Sequence, residues 1–104
     1  MRGLEPATAD SVRARRAARV LTSIAANVRR LRERRGLTQE KLAEIADLDV
    51  RQVQRIERGT LNFGVTALVA IAEALDVPLA RLTRSADFER AKPGRPRTRS
   101  RRTR

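Results

Sequence analysis

The stretch GLTQEKLAEIADLDVRQVQRIERG, Gly36 to Gly59, decides the fold. Gly36 is the residue type expected just past a helix end, and Thr38 reads as the N-cap of the helix that follows. Leu37 is placed to staple onto Leu42 across that first turn. The segment Gln39–Ile45 is expected to be a helix that turns Leu42, Ile45 and Ala46 inward. Asp47 then sits where the chain must turn sharply, in a left-handed conformation that Asp tolerates less readily than Gly. Asp49 reads as a second N-cap, with Gln52 completing a capping box and Leu48 stapling to Val53. Two short helices joined by so tight a turn form a helix-turn-helix.

The second of these helices carries the chemistry. At 100° per residue Val53, Ile56 and Glu57 share one face, while Arg51, Arg55 and Arg58 share the opposite one at i, i+4 and i+7. Val50, Gln52 and Gln54 lie on the shoulders. Arg and Gln have forked donors that match guanine and adenine edges in the major groove, so this face is a candidate base reader. The plainer alternative is a surface helix with three solvated arginines. Its position after a tight turn and before Gly59 favours the first reading.

Upstream, a helical pattern begins at Ser11 and sets Ala17, Leu21, Ile24, Val28 and Leu31 in one apolar stripe with Arg on the other faces. Residues 1–10 have no period and include Pro6, so they read as a disordered lead. An Arg-rich start also resembles an organelle transit peptide, against which Glu5 and Asp10 count. Downstream, Val65–Leu75 is apolar almost all round and is expected at the centre of the core. Asp76 and Pro78 end it, and Leu79–Thr83 reads as a last short helix with Leu79 and Leu82 inward.

The 104 residues carry 24 Lys and Arg against 12 Asp and Glu, a net charge of +12. That charge is uneven: residues 1–35 hold ten Arg and three acids, residues 36–89 six bases and nine acids, and residues 90–104 eight bases and no acid. Two basic ends around a mildly acidic middle fit nucleic-acid arms better than solvated charge runs. The absence of Cys and His removes disulfide scaffolds, zinc sites, thiol nucleophiles and imidazole catalysis together. Scattered acids with no glycine-rich phosphate loop complete no enzyme site, and no cofactor is expected. Phe63 and Phe88 are the only aromatics, too few for a base-stacking sheet. The longest uncharged stretch, Gly59–Ala72, is shorter than the ~20 apolar residues that span a bilayer, so no membrane partner is expected. A cytoplasmic, nucleoid-associated protein follows as the expectation.

The blocks VRRLRERRGLTQEKLA, VQRIERG and LVAIAEALDV, in order and at these separations, resemble the Cro/CI-type (xenobiotic-response-element) helix-turn-helix regulators. The likeness runs from about Ile24 to Leu82. It implies an all-α, five-helix phage-repressor-like domain over residues 24–84, preceded by an Arg-rich helical extension over 11–23 and followed by a disordered basic tail over 85–104. It further implies that helix three lies in the major groove of double-stranded DNA. By position, Gln39 would touch a phosphate, Val50, Arg51 and Arg55 would face base edges with Gln54 beside them, and Arg58 would hold the backbone. The same resemblance pairs Arg32 with Glu57, whose bare carboxylate on an inward face would be costly. The family commonly binds as homodimers on half-sites one helical turn apart, ~34 Å, and the Ala17–Leu21–Ile24 stripe is open to two roles, docking on its own domain or pairing with a second copy. Three departures stand out: Asp47 where the family has Gly, Phe63-Gly64 where it has Pro-Ser, and the two basic ends, which lie outside its pattern.

The segment Lys92-Pro93-Gly94-Arg95-Pro96-Arg97 resembles an AT-hook with Pro93 where an Arg is usual, so unspecific phosphate attraction is the leading role for the tail. Within the regulator reading, the chain is either a free-standing repressor or the antitoxin or controller part of a two-gene module, with a protein partner in the latter case. A non-specific architectural protein is the reading of a different class.

Overall fold

The computed structural model describes residues 8–59 and 63–85. The described residues form five helices and no strand: α1 Ala9–Arg34, α2 Gln39–Ala46, α3 Val50–Arg58, α4 Val65–Leu75 and α5 Leu79–Thr83. Residues 1–7 of the lead, 60–62 of the loop before α4 and 86–104 of the tail lie outside them, and with them the AT-hook-like segment.

Helix α1 is a single unbroken 26-residue helix, about 39 Å long at 1.5 Å per residue. It starts earlier than its apolar period suggests. Thr8 accepts from the Ser11 amide at 3.0 Å, and the Ser11 hydroxyl accepts from the Thr8 amide at 3.0 Å, a reciprocal capping box. Ala9 and Asp10, read above as part of the lead, are therefore in its first turn. The apolar stripe divides in two: Ile24, Val28 and Leu31 are buried and Leu21 is half-buried, while Ala17 is exposed.

Helices α1, α2 and α4 end by one recipe. At Gly36, Asp47 and Asp76 the chain enters the left-handed region, with φ of 69°, 59° and 58°. The amide that follows each reaches back to a carbonyl five residues earlier: Leu37 to Arg32, Leu48 to Ala43 and Val77 to Ala72. This satisfies carbonyls that the helix leaves unpaired. Thr38 caps α2 by accepting from the Lys41 amide at 3.0 Å. Asp49 caps α3 through the Arg51 amide at 2.9 Å. The box expected with Gln52 takes another form, because the Gln52 amide bonds the Asp49 carbonyl instead.

The core joins Ile24, Val28 and Leu31 of α1 to Leu42 of α2, Val53 and Ile56 of α3, Leu68, Ile71 and Leu75 of α4, and Leu82 of α5. Leu37 and Leu48 pack against it from the turns, as staples should. Three expectations need correction. Ile45 is exposed, because α2 turns Leu42, Ala43 and Ala46 toward its neighbours. Helix α4 has an outer face after all: Val65 and Val69, 40° apart around the axis, face away from its buried residues. It packs on α2 and α5 and only lightly on α1, so α1 is the central helix. Leu79 is more than a third exposed, and Leu82 is the buried apolar side chain of α5.

Asn27 lies inside the apolar stripe of α1 and is fully buried. Its Nδ2 donates to the carbonyls of Leu82 and Arg84, both at 2.8 Å, and its Oδ1 accepts from Arg30 at 2.9 Å. One amide thus clamps the end of α5 onto α1 and satisfies groups that burial would otherwise strand.

Candidate nucleic-acid interface

Helix α3 has two unlike faces, and the fold sorts them. Val53, Ile56 and Glu57 are buried, whereas Arg51, Arg55 and Arg58 are exposed along one side. Gln52 and Gln54 are half-buried on the shoulders. Val50 is half-buried too and packs against the core, so only part of its side chain faces outward.

A carboxylate on the inner face has to be compensated, since an unpaired buried charge is expensive. Arg32 Nε donates to Glu57 Oε2 at 2.6 Å and Arg32 Nη2 to Oε1 at 3.0 Å, with the two side chains only 12% and 2% exposed. This forked geometry is the strong form of an ion pair. The third arm of the guanidinium, Nη1, donates to the Leu37 carbonyl at 2.7 Å, so Arg32 also fixes the turn into α2. Its hydrogen bond to Glu57 raises the Arg32 pKa further above its ordinary value, against the opposing effect of burial.

Gln39 was expected to face a phosphate, and the structure gives its amide another task. Gln39 Nε2 donates to Glu57 Oε1 at 3.0 Å. The first turn of α2, the inner face of α3 and the last turns of α1 therefore meet at one carboxylate. Arg29 brings a second cation to Glu57: its Nη2 donates to the Glu57 main-chain carbonyl at 3.3 Å, and its Nε lies 3.9 Å from Oε1. A cation beside the last carbonyls of α3 also opposes the negative end of the helix dipole. The periodicity of the sequence does not reveal Gln39, Asn27 or Arg29 in these roles. The available signal is a polar residue interrupting the α1 stripe, and a buried acid with more acceptor capacity than one arginine fills.

At the far end of α3, Gly59 (φ 69°) passes close to α1. A Cβ there would meet the Leu21 carbonyl oxygen at 3.2 Å and the Ala25 Cβ at 3.3 Å. Gly59 thus both ends the helix and lets it seat on α1. The start of α4 is different. Gly64 is its N-cap and supplies no side-chain hydrogen bond, while Phe63 packs against the core. Among the described residues no helix is long and apolar enough to cross a membrane, and no group of three or more acids could hold a metal ion.

A tripod of helices that exposes Arg51, Arg55 and Arg58 on the second helix of a tight two-helix turn defines a helix-turn-helix module. The chain belongs to the HTH_3 helix-turn-helix family, which matches residues 28–82. It is similar to an uncharacterized HTH-type transcriptional regulator of Sinorhizobium medicae, 33% identical over 57 residues. That alignment covers 55% of this chain and 41% of the relative, so the chain matches well under half the length of this curated protein. Among solved structures it resembles the restriction-modification controller protein C.AhdI of Aeromonas hydrophila, with a TM-score of 0.58 and 35% identity over 60% of this chain and 94% of that one. It also resembles a hypothetical transcription factor, NHTF, from Neisseria, with a TM-score of 0.66 and 30% identity over 73% of this chain and 86% of that one.

Proposed function

We propose that this protein is a sequence-specific transcriptional regulator that binds double-stranded DNA through the major groove with α3. The observation that carries the reading is the outward row Arg51, Arg55 and Arg58 on a helix whose inner side is tied down by Glu57. Base readout needs side chains held to within fractions of an ångström. The Arg32–Glu57–Gln39 network supplies that rigidity from behind the helix. Arg51 and Arg55, with Gln54 and the outer part of Val50 beside them, are assigned to base edges. Arg58 and the cap-free start of α4 are assigned to phosphates. Gln39 remains next to the backbone path at the N-terminus of α2, with its amide already engaged by Glu57.

The family commonly pairs two copies on a two-fold site, and we assign this chain the same homodimeric mode, with half-sites ~34 Å apart. Cytoplasmic, nucleoid-associated residence follows from the DNA target. Within this class, a controller component of a two-gene module is favoured over an isolated repressor by the likeness to C.AhdI, which spans nearly the whole of that chain. The test is the ratio of affinities for a selected duplex and for random duplex at physiological salt. A ratio of ~10³ or more supports the regulator, and a ratio near one supports a non-specific architectural protein.

A further inference from the structure

Residues 9–20 of α1 extend beyond the packed domain, and all of them are exposed except the half-buried Val12. About three turns of helix with almost no tertiary burial are marginal in water. Yet the segment is capped at Thr8, and its charge is one-sided, with Arg13, Arg15, Arg16 and Arg19 against Asp10 alone. Arg13 pairs with Asp10 at 2.8 Å. Among the described residues, Arg15, Arg16 and Arg19 face no acid. At 100° per residue these three fall within one 100° arc of α1. They line an open groove of about 730 Å³, with Thr22 and Thr83 on its walls.

The placement of this arm relative to α3 gives the groove its meaning. Gly59 packs on Leu21, Thr22 and Ala25, and Arg29 reaches the Glu57 carbonyl, so α1 crosses the C-terminal end of α3. Arg19 is one turn, and Arg15 two turns, before that crossing. The groove lies beside that crossing, between the arm and the end of α5. The family match begins at residue 28, so the arm lies outside it.

We propose that Arg15, Arg16 and Arg19 form a second DNA-binding site, a preformed helical arm that takes phosphodiester groups flanking the duplex segment read by α3. The inference rests on the major-groove reading above. Its chemistry is charge complementarity: guanidinium forks facing a row of phosphates, without base selection. The arm lengthens the footprint and adds affinity that salt removes.

The test uses the full chain and a triple variant, Arg15→Gln/Arg16→Gln/Arg19→Gln, which keeps good helix formers on an exposed surface. A second variant with Lys at the three positions keeps the charge. Duplexes selected by the parent protein from a random pool are used with long and with trimmed flanks, and log K is followed against log salt. The expected result is a slope shallower by about 2.7 per bound protomer for the Gln variant on long duplexes, or about 40-fold less affinity lost per protomer than in the parent between 50 and 200 mM salt. The Lys variant should keep the parent slope, trimmed duplexes should abolish the difference, and the selected motif should be unchanged. Equal slopes for parent and Gln variant on long duplexes would overturn the inference. So would a change in oligomeric state with the slope unmoved, which would assign the arm to a second copy of the chain. If the parent selects no motif, the regulator reading fails, while the slopes on random duplex still decide whether the arm binds phosphate.

Discussion

Gln39 and Glu57, eighteen residues apart, share a 3.0 Å hydrogen bond that ties the first turn of α2 to the inner face of α3. The same carboxylate takes two bonds from Arg32, so α1, α2 and α3 are joined at one buried point. Each removal from this network strands a different group, and the consequences differ in size.

Arg32→Ala leaves Glu57 buried without its main counter-charge and frees the Leu37 carbonyl. Denaturant unfolding should show a loss of ~3–5 kcal/mol. Gln39→Ala removes only one neutral donor, and ~1–2 kcal/mol is expected. Because the hydrogen bond to Glu57 raises the Arg32 pKa above the ordinary guanidinium range, its contribution is complete below that range and is lost only as pH rises through the still higher folded value. The stability difference between parent and Arg32→Ala should therefore show no decline attributable to arginine deprotonation from neutral pH up to that point. A guanidinium midpoint seen below the ordinary arginine range would contradict the geometry.

Left-handed positions give a paired prediction. Gly59→Ala must hold φ near 69° and also meet the Leu21 carbonyl oxygen and Ala25 Cβ, so ~2–4 kcal/mol should be lost. Gly36→Ala has the same φ but open space around it, and should lose only ~1–2 kcal/mol. Asp47→Gly relieves the same strain in the turn between α2 and α3 and should raise stability by up to ~1 kcal/mol. Thermal unfolding of the three variants supplies the comparison.

Asn27→Ala removes two donors from the carbonyls of Leu82 and Arg84 and one acceptor from Arg30. Loss of the clamp should cost ~1–3 kcal/mol. Hydrogen exchange should quicken first in α5, ahead of global unfolding. Uniform loss of protection across all helices would mean that α5 is held mainly by Leu82.

The stretch Thr38–Arg58 holds four bases and five acids, so its own field is close to neutral. Removing residues 90–104, with eight bases and no acid, should therefore flatten the salt slope by several units and slow association. The selected motif should be unchanged, and the effect should be equal on A·T-rich and G·C-rich flanks. A loss confined to A·T-rich flanks would mean that Gly94-Arg95-Pro96 reads the minor groove.

The element order and most boundaries are legible in the sequence because caps and periods are local signals. Thr38, Asp47, Asp49 and Asp76 act within a few residues of themselves, and each stands where its chemistry suggests. Burial is less legible where the pattern is ambiguous. Ile45 and Ala43 compete for the inner side of α2, and only the positions of its packing partners settle it. The apolar excess of α4 likewise hides an outer face at Val65 and Val69. The exposed arginines of α3 can be placed from a helical wheel. The partners of Glu57 beyond Arg32 depend on three helices converging, which no single-helix period encodes.

The assignment of α3 to base reading is tested most directly by selecting bound sequences from random duplex DNA with the parent, Arg51→Ala and Arg55→Ala proteins. The expected result is a motif with two-fold symmetry for the parent. Each variant should bind the parent's site ~1–3 kcal/mol more weakly and lose preference at particular base pairs. Equal weakening of both variants on the selected site and on random duplex, with no base pair relaxed, would mean that α3 touches only phosphate.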